Sequence, residues 1–220
     1  MKLVKNGLFD FLMILWYYLI MIKEDLIPLK EELDAIVLNH CERAWNTNLA
    51  GMRRKIMGDT GEIITQKCLE YSLNYAGLNN SQVYRGGEKK IMCKIDDDAY
   101  FEAQVDKHVE VDGKLKIICE AKTYMDKPYL ERASQDFSII RKYNGKEDKI
   151  YSYVISLQDA VKKQTLNFFM KDGHIDYVFF LMKGKRSPIK PIWDPKFRKE
   201  IDLDSLYKCI STITNNLLNE

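Results

Sequence analysis

Paired cysteines, clustered histidines and a net charge of one sign are all missing from this sequence, and each absence removes a class of protein. Cys41, Cys68, Cys93, Cys119 and Cys209 are odd in number, widely spaced and never in a CxxC pair, which argues against a disulfide framework or a structural zinc site and suits a reducing cytoplasm. His40, His108 and His174 are scattered, with no HExxH or nucleophile-elbow pattern around them, so they read as structural or surface residues. The 34 Lys plus Arg nearly cancel the 32 Asp plus Glu. Net charge therefore neither requires nor excludes a polyanionic partner, and local charge has to decide. No repeat and no Pro/Gly/Ser-rich linker divides the chain, and 220 residues at 46% apolar content can bury a sizeable core, so residues 23–220 read as one domain.

A membrane-length apolar run is missing too. Leu8 to Ile22 is apolar but for Asp10, shorter than the roughly 20 residues of a spanning helix, and Lys23, Glu24 and Asp25 follow it in place of a small-x-small cleavage site. Residues 1–22 are set apart as a hydrophobic segment: a helix buried in a core or subunit interface, or a stretch upstream of a true start at Met21. Stable membrane association is not expected.

What is present is helical and strand periodicity in alternation. Glu24 to Asn46 carries Leu26, Leu29, Leu33, Ile36 and Val37 at helical spacing, with Pro28 suiting a first turn. A second helix is predicted from Asp59 or Thr60 to Tyr75, Asp59-Thr60-Gly61-Glu62 reading as an N-cap with an acidic first turn and Gly77 as the stop. The polar stretch Asn79 to Lys90, in which Gly86-Gly87 marks a turn, leads to strands at Tyr100–Val111 and Lys114–Thr123 joined at Asp112-Gly113. A helix over Tyr129–Tyr143 stops at Asn144-Gly145. Buried strands at Ile150–Leu157 and Ile175–Met182 flank a crossover helix over Gln158–Met170, and a helix from about Asp204 to Leu218 follows. The sum predicts an α/β architecture, a mixed sheet flanked by helices.

One stretch interrupts that pattern with charge. Gln104-Val105-Asp106 is followed, thirteen residues on, by Glu120-Ala121-Lys122. Alternation puts Glu120 and Lys122 on one face of a strand whose approach, Ile117-Ile118-Cys119, suits burial. Charge in such a place costs stability unless a metal or an ion partner compensates. An acid, a hairpin-length gap and then acid-x-lysine resembles the PD-(D/E)xK nuclease superfamily, with Val105 standing where proline is usual. The resemblance covers roughly residues 59–182. It implies a restriction-endonuclease-like fold, a mixed central β-sheet flanked by α-helices, and the activity of a type II restriction endonuclease: magnesium-dependent, site-specific hydrolysis of double-stranded DNA by a homodimer.

On that resemblance, Asp106, Glu120 and the backbone carbonyl of Ala121 would hold Mg2+ (Mn2+ can substitute), Lys122 would orient a water or stabilise the transition state, and Glu62 would be an extra acid. Arg132 and Gln135 would face the phosphate. Arg53, Arg54 and Lys55 ahead of a Gly58 turn, Arg85, Lys89 and Lys90, and the run Lys183, Lys185, Arg186, Lys190 form basic stretches that would bind DNA backbone or remain solvated loops. Asp96-Asp97-Asp98 reads as a polar loop, and Tyr151, Tyr153, Phe179 and Phe180 as core. Register sets a condition. A strict two-residue hairpin would pair Asp106 with Cys119 and split the acids between faces, so a bulge at or near Gly113, or an irregularity close to Asp106, is required. A junction-cleaving or repair nuclease of the same fold, and an inert DNA-binding or scaffold protein with a structural ion pair, are the alternatives.

Overall fold

A computed structural model describes residues 22–96, 98–144, 149–171, 174–187 and 189–219. The hydrophobic run from Leu8 to Met21 lies outside them, as do Asp97 of the triple-aspartate stretch and Gly145 of the predicted helix stop. A short 3-10 turn, Lys23–Leu26, leads into helix α1 (Ile27–Trp45) with Pro28 in its first turn, then α2 (Ala50–Tyr75). Strands β1 (Ser81–Arg85), β2 (Ile91–Lys94), β3 (Tyr100–Ala103), β4 (Lys107–Val111) and β5 (Lys114–Met125) follow. Next come α3 (Lys127–Asn144), β6 (Tyr151–Asp159), α4 (Lys163–Lys171), β7 (Tyr177–Phe180) and α5 (Leu203–Leu218).

Five strands form one mixed sheet in the order β1-β4-β5-β6-β7, and β2 and β3 pair separately. The first two junctions, β1/β4 and β4/β5, are antiparallel, and the next two, β5/β6 and β6/β7, are parallel. Parallel neighbours need a crossover, and α3 and α4 supply the two. Alternation along the strands then sorts the core into two layers. Ile117, Cys119, Tyr153, Ile155 and Phe179 pack against α1, α2 and α5, while Ile118 and Val154 pack with α3 and α4 through Leu130, Phe137, Ile140 and Phe169. The mixed α/β architecture read from the sequence is the one observed. Among the described residues no helix is long and apolar enough to cross a membrane. All five cysteines are free and buried.

Several boundaries differ from expectation for identifiable reasons. Helix α2 begins at Ala50, nine residues before the expected Asp59 cap, so Arg53, Arg54 and Lys55 lie within it and no turn occurs at Gly58. Thr60 is buried and its hydroxyl donates to the Ile56 carbonyl. Burial of Ile56, Met57 and Ile64 outweighs the helix-breaking tendency of Gly58 and Gly61, which is about 1 kcal/mol each. The predicted strand Tyr100–Val111 is two: β3 pairs with β2, and after a break at 104–106 β4 joins the main sheet. Ser81–Arg85, expected as loop, pairs with β4 as an edge strand, its mostly polar composition having hidden a half-buried ribbon. Gln158 and Asp159 extend β6 rather than opening the crossover helix, and β7 is shorter than the Ile175–Met182 run.

Two glycines in α2 have opposite roles. A Cβ on Gly58 would meet nothing, whereas one on Gly61 would come within 2.9 Å of the Lys122 carbonyl carbon and 3.1 Å of the Thr123 nitrogen. Gly61 thus lets α2 lie directly on the backbone of β5. Gly58→Ala is expected to stabilise the fold by about 0.5–1 kcal/mol and Gly61→Ala to destabilise it by about 1–3 kcal/mol. At roughly 2–4 °C per kcal/mol, thermal melting should move in opposite directions for the two variants. Equal shifts would mean that the close approach at Gly61 has no energetic weight.

Candidate active site

The turn between β4 and β5 is the strict two-residue kind, with Asp112 and Gly113 both at positive φ (51° and 76°) and Val111 opposite Lys114. Such a turn by itself would split the acids. The register slips three residues later: Glu110 pairs with Leu115 but Val109 pairs with Ile117, leaving Lys116 as an extra residue. The bulge is therefore in β5 rather than in the turn. Lys107 ends opposite Cys119, so Asp106, the next residue outward, comes level with Glu120. Behind it, the Gly86 N–H donates to the Asp106 carbonyl at 3.1 Å, and a Cβ on Gly86 would stand 2.2 Å from the Val105 oxygen. Only glycine permits that closure.

Three charged groups meet where β4 ends and β5 continues. Lys122 Nζ donates to Glu120 Oε2 at 2.7 Å and also to Asp106 Oδ2, which accepts the Ala121 N–H at 3.0 Å as well. Glu120 is 8% exposed. Burial, with the Asp106 charge second, pushes its carboxyl up to about 7. Burial also pushes Asp106 upward, but Lys122 and the Ala121 amide outweigh it and leave the carboxyl below its ordinary value. Lys122, though desolvation lowers it, is raised by the two acids and stays cationic. The amine is thus a charged donor and not a base.

Glu62, on α2, sits at the other side of the same cleft, and its Oε2 accepts from Lys107 Nζ at 3.1 Å. Lys107 is wholly buried, so this pairing is the compensation its ammonium needs. Among the described residues no group of three or more Asp, Glu, His or Cys side chains converges to hold a metal. The donor set at hand is two carboxylates with main-chain oxygens beside them. An all-oxygen set with two carboxylates is within what magnesium takes, because that ion keeps several waters. The crowding of negative charge that raises Glu120 is what a divalent cation would relieve, so the residues present fit such an ion.

Asp106, Lys122 and Glu62 open onto a cleft of about 640 Å3, and Glu120 is not among its lining residues. The first half of α2 lines it with Arg53, Arg54 and Glu62; the end of β5 with Ala121, Lys122 and Tyr124; α3 with Tyr129 and Arg132; and the 186–193 segment with Arg186 and Trp193. Arg53 is tied down, its guanidinium donating to the carbonyls of Ala44 (2.9 Å) and Thr47 (2.7 Å). Gln135 is exposed on α3 and is not among the lining residues. Arg85 and Lys89 lie elsewhere, paired with Glu88 and Glu110. Lys183 is bound to Asp202 at 2.7 Å and lines a separate cleft with Lys185.

Four residues of the site escaped the sequence reading: Tyr124, Tyr129, Trp193 and Asp136. Asp136 is raised by burial and drawn back by Arg132 and Lys122, which places it in their electrostatic reach. The spacing of Tyr129, Arg132 and Asp136 along one helix was a usable signal, since positions three and seven apart share a face. Trp193 offered none, because it reaches the cleft from a segment without regular structure.

No family model matches this chain. No curated protein matches it either. The chemistry of the cleft accordingly stands on its own geometry.

Glu120→Gln tests the electrostatics directly. A carboxyl raised in the folded state contributes stability that is complete below its ordinary value of 4.5 and is lost as pH rises through about 7. With chelator present, the melting temperature of Glu120→Gln minus that of the native protein should grow between pH 5 and pH 8 by on the order of 5 °C. A difference that stays flat over this range would show that the Glu120 carboxyl is not raised by its burial and by Asp106.

Proposed function

We propose that this chain is a magnesium-dependent DNA endonuclease of the PD-(D/E)xK type, with a restriction-endonuclease-like fold, acting on double-stranded DNA as a homodimer. The observation that carries it is the meeting of Asp106, Glu120 and Lys122 beside an arginine-lined cleft whose wall includes Asp106 and Lys122. A bulge that brings two acids level across a hairpin is costly as pure structure, since it interrupts the regular ladder and places like charges side by side. Bulges of this sort gather beside active sites. The free, buried cysteines suit a cytoplasmic protein.

Asp106 and Glu120, with the Ala121 carbonyl, would hold Mg2+, or Mn2+ in its place. When bound, that ion supplies charge for the scissile phosphate and a more acidic water. The chain's own residues do the rest. Lys122, fixed as a cation, donates to the phosphate and stabilises charge that grows on it. Arg132, Arg186 and Arg54 neutralise neighbouring phosphates along the cleft, and Glu62 stays anchored by Lys107. A two-fold dimer would present two such sites to a palindromic duplex and cut both strands.

A second reading has an observation of its own: Lys122 already satisfies both acids, as in a structural ion pair of an inert DNA-binding or scaffold protein. Incubating mixed-sequence plasmid with the native protein and Mg2+ separates the two. Discrete fragments are expected, with Lys122→Ala at least roughly 100-fold slower while its DNA affinity in chelator stays within a few-fold. No cleavage of any DNA with either Mg2+ or Mn2+ would favour the inert protein. A smear would keep the nuclease and remove its site specificity.

A further inference from the structure

The cleft has a property that phosphate chemistry alone does not call for. Each of three arginines lies on an aromatic ring. The Arg186 guanidinium is 3.5 Å from the centre of the Tyr124 ring, Arg132 is 5.6 Å from Tyr129, and Arg53 is 5.9 Å from Trp193. Lys122 is itself 5.8 Å from the centre of the Tyr129 ring, which sets an aromatic surface directly beside the reacting groups. All three rings are part-exposed, Trp193 and Tyr129 also packing against the core. Arg186 is also fixed by its backbone, whose N–H donates to the Asp159 carbonyl at 2.7 Å.

Flat guanidinium and aromatic faces side by side form a platform for another flat group. Nucleobases stack on such surfaces whatever their identity, and arginine adds its charge for the adjoining phosphate. A volume of about 640 Å3 belongs to the small-ligand range of roughly 300–1,000 Å3. It is large enough for a nucleotide or two.

We propose that the cleft takes one DNA strand with a nucleobase unstacked onto the Arg186–Tyr124 and Arg132–Tyr129 surfaces, beside the phosphate held at Asp106, Glu120 and Lys122. The inference rests on the nuclease reading and narrows it. The preferred substrate is DNA with an unpaired base at the cut: a mismatch, a bulge, or a single strand. An intact duplex has to surrender a base to enter, and an unpaired one has already met that cost.

Fluorescence anisotropy in chelator, with labelled oligonucleotides of one sequence as perfect duplex, duplex with a single unpaired base, and single strand, measures the preference. The two unpaired forms are expected to bind about tenfold tighter than the duplex or more. Tyr124→Ala should erase most of that preference. Arg186→Lys should weaken it while preserving the salt dependence, because the charge remains and the planar face is lost. Unchanged melting curves identify variants that have kept the fold, and Tyr129→Ala replaces any that have not. Equal or tighter binding of the perfect duplex overturns the inference, as does a preference that survives Tyr124→Ala or no DNA binding in any arm. Parallel digests with Mg2+ keep the two proposals apart. Cleavage without the preference leaves the nuclease standing and this inference fallen. The preference without cleavage leaves the stacking platform standing and the nuclease fallen.

Discussion

Two carboxylates and one ammonium share a small, largely buried space at the point where β4 leaves the sheet and β5 continues. The rest of the cleft is arranged around that fact. Burying Glu120 is unfavourable by itself, and the Asp106 charge beside it adds to the cost, as the raised Glu120 carboxyl records. Lys122 offsets part of the cost by donating to both acids, and the Ala121 amide contributes a further bond to Asp106. The balance holds only while the three groups keep their relative positions, so the surrounding structure has to be stiff.

That stiffness comes from close backbone approaches more than from side-chain packing. Gly61 lets α2 touch the main chain of β5 at Lys122 and Thr123, and the Thr123 hydroxyl returns a bond to the Met57 carbonyl. Gly86 lets the β1 end close over Val105 and bond the Asp106 carbonyl. Lys107, buried between these contacts, ties β4 to α2 through Glu62. The acids are held from both flanks while their open side faces the cleft. A buried charge arrangement of this kind is often no more stable than a hydrophobic trio of similar volume.

The cleft walls divide their work in the same way. Arg53 holds the end of α1 and the following turn through two carbonyls, while Arg132 and Arg186 lie over tyrosines at the cleft wall. Three parts of the chain distant in sequence bring the cleft's arginines, Arg53 and Arg54 from α2, Arg132 from α3, and Arg186 beyond β7, and three of the four lie near aromatic rings. Basic residues that the sequence shows just as plainly, Arg85, Lys89 and Lys183, are neutralised by local acids away from the cleft.

By itself the sequence determined the layers and singled out the two acids and the lysine that meet in the fold. Helical and strand periodicities registered which faces need burial, and an acid pair with a lysine in an apolar strand is conspicuous because burial makes charge expensive. It also carried the need for a bulge, since strand alternation allows no other way to bring Asp106 level with Glu120. Tertiary structure alone decided where that bulge falls, at Lys116, and that α2 runs unbroken from Ala50 through Gly58 and Gly61. It also decided that Ser81–Arg85 is an edge strand and that Trp193 and Tyr124 meet at the cleft. These outcomes turn on contacts between segments far apart in the chain. A glycine is a break or a close approach, and an arginine a solvated charge or a stacked face, according to what the fold puts opposite it.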